Sequence, residues 1–236
     1  MPKQTKIKDL PEALRPYERC EQEGPEVLSD AELLAVILRS GSREKNSVAL
    51  AEEILSLNGS EHGLLNLMQY SCEEFRELRG VGRVKGLQLL CVGELSRRIW
   101  KQSAAGRLNV HDPATVADYY MEDLRHLDYE CIHLMLLDAK DRLRKSVCVS
   151  RGSMLSSSIS SREIFKAVIA HQACGLILVH NHPSGDPTPS ADDVLFTQKV
   201  RIAAAELGIM LRDHVIIGDN CYFSFVEHEM LHAAPR

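Results

Sequence analysis

The sequence predicts an α/β protein preceded by an all-helical domain. Before about residue 101, apolar residues recur at helical spacing between capping residues and glycine-containing stops. From residue 111 on, short apolar runs of strand length alternate with amphipathic helical segments. Between the two, Gln102-Ser103-Ala104-Ala105-Gly106-Arg107 lacks periodicity and reads as a linker. The expected division is therefore 1–101 helical, 102–110 linker and 111–236 α/β.

In the first part, Ser29-Asp30 caps the run Ala31 to Leu38, which stops at Ser40-Gly41. A second helix runs from about Ser47 to Leu57 and ends at Asn58-Gly59, a third is Gly63 to Met68, and Ser71-Cys72-Glu73-Glu74 opens a fourth with a capping box. Leu78-Arg79-Gly80-Val81-Gly82-Arg83-Val84-Lys85 then leads into a helix to about Trp100. This segment resembles a helix-hairpin-helix. The resemblance implies that Gly80 and Gly82 let backbone amides approach a DNA phosphate at a helix N-terminus, flanked by Arg83 and Lys85. The alternative for the glycines is close packing between helices.

In the second part, Asp112-Pro113 starts a helix through about His126, Glu130 to Leu137 and Lys145 to Ser150 read as strands, and Ser161 to Ala173 as a helix. Leu176 to His182 is a strand, Ala191 to Leu207 a helix, and Met210 to Ile217 a strand ending at Gly218-Asp219-Asn220, with Tyr222 to Phe225 closing the sheet.

One stretch of this part carries chemistry. His180 and His182 end the apolar strand Leu176-Ile177-Leu178-Val179, and residues one apart on a strand point the same way, so two imidazoles can share a metal. The Gly/Pro-rich bend that follows turns the chain back, and Ser190 is placed to cap a helix whose first turn presents Asp193 as third ligand. Three protein ligands leave the fourth tetrahedral position to water, as at a catalytic zinc rather than a structural one. One zinc per chain is expected. Singly, a buried histidine is usually a satisfied core residue and Ser-x-x-Asp usually a cap; in combination they point to a metal.

The pattern His-x-His, seven residues, Ser, two residues, Asp is similar to the JAMM (MPN+, or JAB) metalloprotease signature, and Leu176 to Asp193 resembles its bacterial RadC-like branch. The amino-terminal half is also similar to the helical segment that precedes this domain in RadC-like proteins. Asn181 stands where deubiquitinating members usually carry Ser or Thr, as it does in RadC-like members. The resemblance implies a cytidine-deaminase-like, mixed and strongly curved sheet flanked by helices. It also implies hydrolysis of an amide or isopeptide bond in a protein or peptide, with Ser190 hydrogen-bonding the oxyanion and a glutamate on an earlier strand shuttling the proton. The matching glutamate is Glu130. Its rival is Glu163, whose ordinary reading is an acidic residue in a first helical turn. Asp186 is either an acceptor orienting an imidazole or, next to Gly185 and Pro187, a turn residue. Asp213-His214 recurs in RadC-like proteins, as a pair that supports the metal ligands, contacts substrate, or braces the strand. Two other readings remain: a DNA-associated accessory of repair or recombination, and an adaptor that binds a partner without cleaving it.

Three look-alikes fall away. His228-Glu229-Met230-Leu231-His232 spells the zincin pattern but has only Ala233-Ala234-Pro235-Arg236 after it, too little to add a third ligand. His180-Asn181-His182 spells the name of a nuclease family in which those letters are widely separated. The His-x-Glu and Pro-Cys-x-x-Cys pair of zinc deaminases is missing.

No apolar run is long enough to cross a bilayer and residues 1–10 lack a signal-peptide core, so a cytoplasmic protein with no membrane partner is expected. The seven cysteines contain no Cys-x-x-Cys, which fits reduced thiols, most of them in the core. The net charge of −5 argues against a nucleic-acid footprint over the whole chain. Locally, eight Arg and Lys between 76 and 107 are opposed only by Glu77 and Glu94, which would suit either phosphate or a solvated helix face.

Overall fold

A computed structural model describes residues 6–57, 63–152 and 161–231. The chain divides into two compact units, residues 1–96 and 97–236.

The first unit holds helices α1 (Pro16–Glu23), α2 (Asp30–Leu38), α3 (Ser47–Leu55), α4 (Asn66–Gln69), α5 (Cys72–Glu77) and the start of α6 (Arg83–Arg107). Ser29 and Ser71 cap α2 and α5 with the expected reciprocal boxes to Glu32 and Glu74. Leu34, Leu38, Leu50, Ile54, Phe75 and Leu89 form the core. The Asn58-Gly59 stop lies outside the described residues. The end of α3 is secured by Asn66, whose buried amide donates to the carbonyls of Ile54, Leu55 and Leu57.

The linker reading is corrected: α6 continues through Arg107, so Gln102–Arg107 are helical. A Gly inside a helix costs only about 1 kcal/mol, and here Ala104 is buried while Arg97 and Lys101 both pair with Asp123. Arg107 reaches Asp118 at 3.7 Å. Part of the local positive surplus is thus balanced inside the second unit. Among the described residues no helix is long and apolar enough to cross a membrane.

The second unit is built on a five-stranded mixed sheet, β1 (Cys131–Leu137), β2 (Leu143–Arg151), β3 (Gly175–Asn181), β4 (Met210–Ile217) and β5 (Tyr222–Ser224), in the order β2-β1-β3-β4-β5. Only the β3/β4 pair is parallel. β3 is buried along its whole length because both sheet faces are covered. One face, with Ile177, Val179, Val215 and Met135, packs on α7 (Pro113–Leu124) through Val116, Tyr120 and Leu124. The other, with Leu176, Leu178, Leu134 and Leu136, packs on α8 (Ser161–Ala170) and α9 (Ala191–Glu206). His180 shares the parity of Leu176 and Leu178, so the sheet delivers it to the α9 side.

Candidate metal centre

Three elements converge at the C-terminal end of β3. His180 is its penultimate residue, His182 follows it, and Asp193 is in the first turn of α9. Between them Gly185, at φ 80°, occupies a conformation that a side chain would strain, and this lets the bend return. Ser190 caps α9 reciprocally: its Oγ accepts from the Asp193 N–H at 3.2 Å, and the Asp193 carboxylate accepts from the Ser190 N–H at 2.8 Å. His180 and Asp193 are almost wholly buried.

The donor atoms meet at one point. His180 Nε2 and His182 Nε2 are 3.1 Å apart, His180 Nε2 is 3.3 Å from Asp193 Oδ1, and His182 Nε2 is 3.4 Å from Asp193 Oδ2. A tetrahedral sphere with bonds of about 2.0–2.1 Å has edges of about 3.3–3.4 Å, so this spacing fits a zinc-sized ion.

The hydrogen bonds behind the imidazoles decide which nitrogens carry protons. The carbonyl of Asp193 can only accept, so Thr197 Oγ1, 2.6 Å away, donates its one proton to it. Thr197 Oγ1 therefore accepts from His214 Nδ1. His214 is buried, and burial holds its pKa well below the usual histidine value. It is therefore neutral and has only an acceptor left at Nε2, which takes the Nδ1 proton of His180 at 2.8 Å. His182 Nδ1 donates to the Asp186 carbonyl at 2.8 Å. In the neutral rings both Nε2 atoms are therefore lone pairs facing each other and a carboxylate, an arrangement that suits a cation.

The electrostatics favour positive charge at this point. Burial opposes ionisation of Asp193, but the adjoining imidazoles of His180 and His182 and the Ser190 hydroxyl outweigh it and hold this carboxyl well below the usual range. The neighbouring Asp193 carboxylate raises the pKa of His182 against the effect of burial. Burial lowers that of His180, with Asp193 and Glu130 acting in the other direction.

Glu130 immediately precedes β1. Ile132 pairs with His180, and the charge of Glu130, two residues earlier, is felt at both imidazoles. Asn181 points to the other face. There its Oδ1 accepts from the Cys131 N–H at 2.8 Å and its Nδ2 donates to the Tyr129 carbonyl at 3.0 Å, which pins the backbone on both sides of Glu130. Glu163 is exposed in the first turn of α8.

Ser190 Oγ donates its only proton to Asp193 Oδ2 at 2.6 Å, so in this structure the hydroxyl holds the Asp193 carboxylate. Asp186 serves the site through its main-chain carbonyl, while its carboxylate accepts from the Thr188 N–H at 2.9 Å in the turn. Asp213 accepts from Ser224 Oγ and from the N–H groups of Val226 and His214, so it supports the strand that carries His214. Sequence reasoning missed Thr197; the available signal was its place one helical turn after Asp193. His228 to Leu231 form no helix, since Glu229 has φ 56° and His228 stacks on Phe223; His232 lies outside the described residues.

In the first unit, Gly80 has φ 106° and lies against Ser42, where an added Cβ would come within 2.5 Å, so this glycine serves both turn and packing. Gly82 faces open space at the start of α6, and Arg83 is exposed. The Lys85 ammonium donates to the carbonyls of Gly41 and Gly80, at 2.8 and 2.9 Å, and so ties the hairpin together. The cysteines also differ from expectation, since only Cys131 is buried while Cys91, Cys174 and Cys221 are exposed.

A layered mixed sheet whose central strand ends in His-x-His, facing an aspartate in a capped first helical turn, has the organisation of a JAB-type domain. Residues 110–230 match the RadC-like JAB domain family and residues 7–87 match UPF0758 N-terminal. UPF0758 proteins of Caldanaerobacter subterraneus subsp. tengcongensis, Alkaliphilus metalliredigens and Clostridium acetobutylicum are each 40% identical to it. They align over 94%, 96% and 96% of this chain and 94%, 97% and 97% of their own length. The chain belongs to the UPF0758 family and carries a RadC-like JAB domain.

Proposed function

We propose that the protein is a zinc-dependent hydrolase of the JAMM type acting on a peptide or isopeptide bond. The observation that carries this reading is the convergence of two imidazoles and one carboxylate, with the charge of Glu130 felt at both imidazoles. His180, His182 and Asp193 would hold the metal, with Ser190 and His214 fixing their orientation. Zinc supplies a Lewis acid that polarises a carbonyl and lowers the pKa of water to about 7. Glu130 takes a proton on its carboxylate and returns it to the leaving amine.

Metal analysis of the purified protein and of its Asp193→Ala variant, followed by peptidase and isopeptidase assays, tests this. Glu130→Gln is expected to keep the metal and lose about 100- to 10,000-fold in turnover, whereas His182→Ala loses metal and turnover together. Undiminished hydrolysis by Glu130→Gln would transfer the base role, to Glu163 first.

A second reading, a DNA-associated accessory of repair or recombination, is favoured by the open approach to Gly82 beside exposed Arg83. Arg83→Ala should weaken DNA binding and lower its salt dependence by about one counterion. An unaltered salt slope would remove the hairpin from this reading.

A further inference from the structure

We infer that Cys131, His133 and Cys148 form a second metal site, for a thiophilic divalent cation of the zinc class, on the sheet face opposite the His180 centre. Cys131 and His133 are one residue apart on β1 and so share a face, the one packed against α7, where the His133 ring lies 5.4 Å from that of Tyr120. On β2 the pairing steps from Ile132↔Ser150 to His133↔Cys148, so Val149 is the extra residue of a bulge. That bulge leaves Cys148 opposite His133 and diagonal to Cys131.

Three observations set this cluster apart from ordinary core thiols. A donor atom from each of the three residues lies within 4.8 Å of the others. The two sulfurs face each other at 3.2 Å; metal–sulfur bonds of about 2.3 Å set a tetrahedral edge of about 3.8 Å, so binding moves them apart by about half an ångström. His133 Nδ1 is buried with no hydrogen-bond partner among the described residues, a rare condition for a polar atom.

The donor chemistry selects the ion. Two thiolates and an imidazole suit zinc and its soft neighbours, and not calcium or magnesium. A divalent cation also leaves the pair of thiolates electrically neutral, which matters because Cys131 is only 3% exposed. Binding ties edge strand β2 to β1 one residue from Glu130, so the site staples the strand that presents the proposed base. The inference is independent of the hydrolase reading, because none of its ligands belongs to the His180 centre.

The test uses full-length, metal-free Asp193→Ala protein, which disables the first centre, titrated with Co²⁺ under reducing conditions. The expected result is one equivalent bound with near-ultraviolet sulfur-to-cobalt charge-transfer absorption. Adding Cys148→Ser should weaken that binding by at least about 100-fold, beyond what loss of a partner outside the coordination sphere produces. His133→Phe, with folding checked by circular dichroism, should shift the visible cobalt bands while leaving some charge transfer. Absence of the charge-transfer band in Asp193→Ala, a band indifferent to Cys148→Ser, or a Cys131–Cys148 disulfide in freshly purified protein would each overturn the assignment.

Discussion

His180 Nδ1 donates to Nε2 of His214 across 2.8 Å, between neighbouring parallel strands, and both rings are buried. The chain of hydrogen bonds continues through Thr197 to the main-chain carbonyl of Asp193. One proposed ligand is therefore connected to another through two side chains that touch no metal, and the direction of every proton in the chain is set by the carbonyl at its end.

Replacing His214 removes the acceptor that fixes His180. In His214→Phe the ring volume and the stacking on Phe225, now at 4.8 Å between centroids, are retained, but the His180 Nδ1 proton has no partner. Zinc affinity should fall about 10- to 100-fold, read by competition with a chelating indicator. An affinity equal to that of the unmodified protein would show that the tautomer of His180 is set some other way.

Thr197→Val preserves shape and removes the hydroxyl, leaving His214 Nδ1 and the Asp193 carbonyl without their shared partner. The cost is about 1–3 kcal/mol of stability, the penalty for unsatisfied buried polar groups. Urea denaturation of the metal-free protein measures it, and a midpoint unchanged by the substitution would contradict the relay.

The parts of this centre that depend on local rules are legible in the sequence. Strand alternation places His180 and His182 together, and a capping pair places Ser190 with Asp193. His214 stands out in the sequence only through the resemblance and Thr197 not at all, because their partnership depends on the parallel β3/β4 register and on which face of α9 packs inward. Cys148 is obscured for the same reason: its approach to Cys131 depends on a bulge at Val149 that no local signal marks. Gln102–Arg107 misleads in the opposite direction. Glycine and serine suggest a break, but buried Ala104 and the pairing of Arg97 and Lys101 with Asp123 sustain the helix. Lys85 likewise reads as a surface charge until the fold brings it to the carbonyls of Gly41 and Gly80.

Asp213 makes stability depend on pH. Burial pushes its carboxyl up to about 6, against the effect of three hydrogen-bond donors. Its folded pKa exceeds its unfolded value, so the folded state binds more protons between about pH 4 and 6. Its contribution is complete below that window and is lost as pH rises through it. A displacement of about two pKa units corresponds to ~3 kcal/mol. The difference in unfolding free energy between the unmodified protein and Asp213→Asn should therefore vary across pH 4–6 and level off above it. A difference that is constant with pH would place the carboxyl at an ordinary value.

Asn181 links the metal strand to the proposed base. It sits between the two histidines yet faces away from them, 1% exposed, with its amide holding the backbone at Tyr129 and Cys131. Asn181→Ala would leave His180 and His182 on their face of β3 and release the segment that carries Glu130. The substitution should lower stability by about 1–3 kcal/mol and lower turnover more than zinc affinity, since misplacing a catalytic group by about 1 Å is worth about 100-fold in rate. Zinc titration and turnover, measured on the same preparation, separate the two effects. Equal losses in both would show that Asn181 supports the whole end of the strand and not Glu130 in particular.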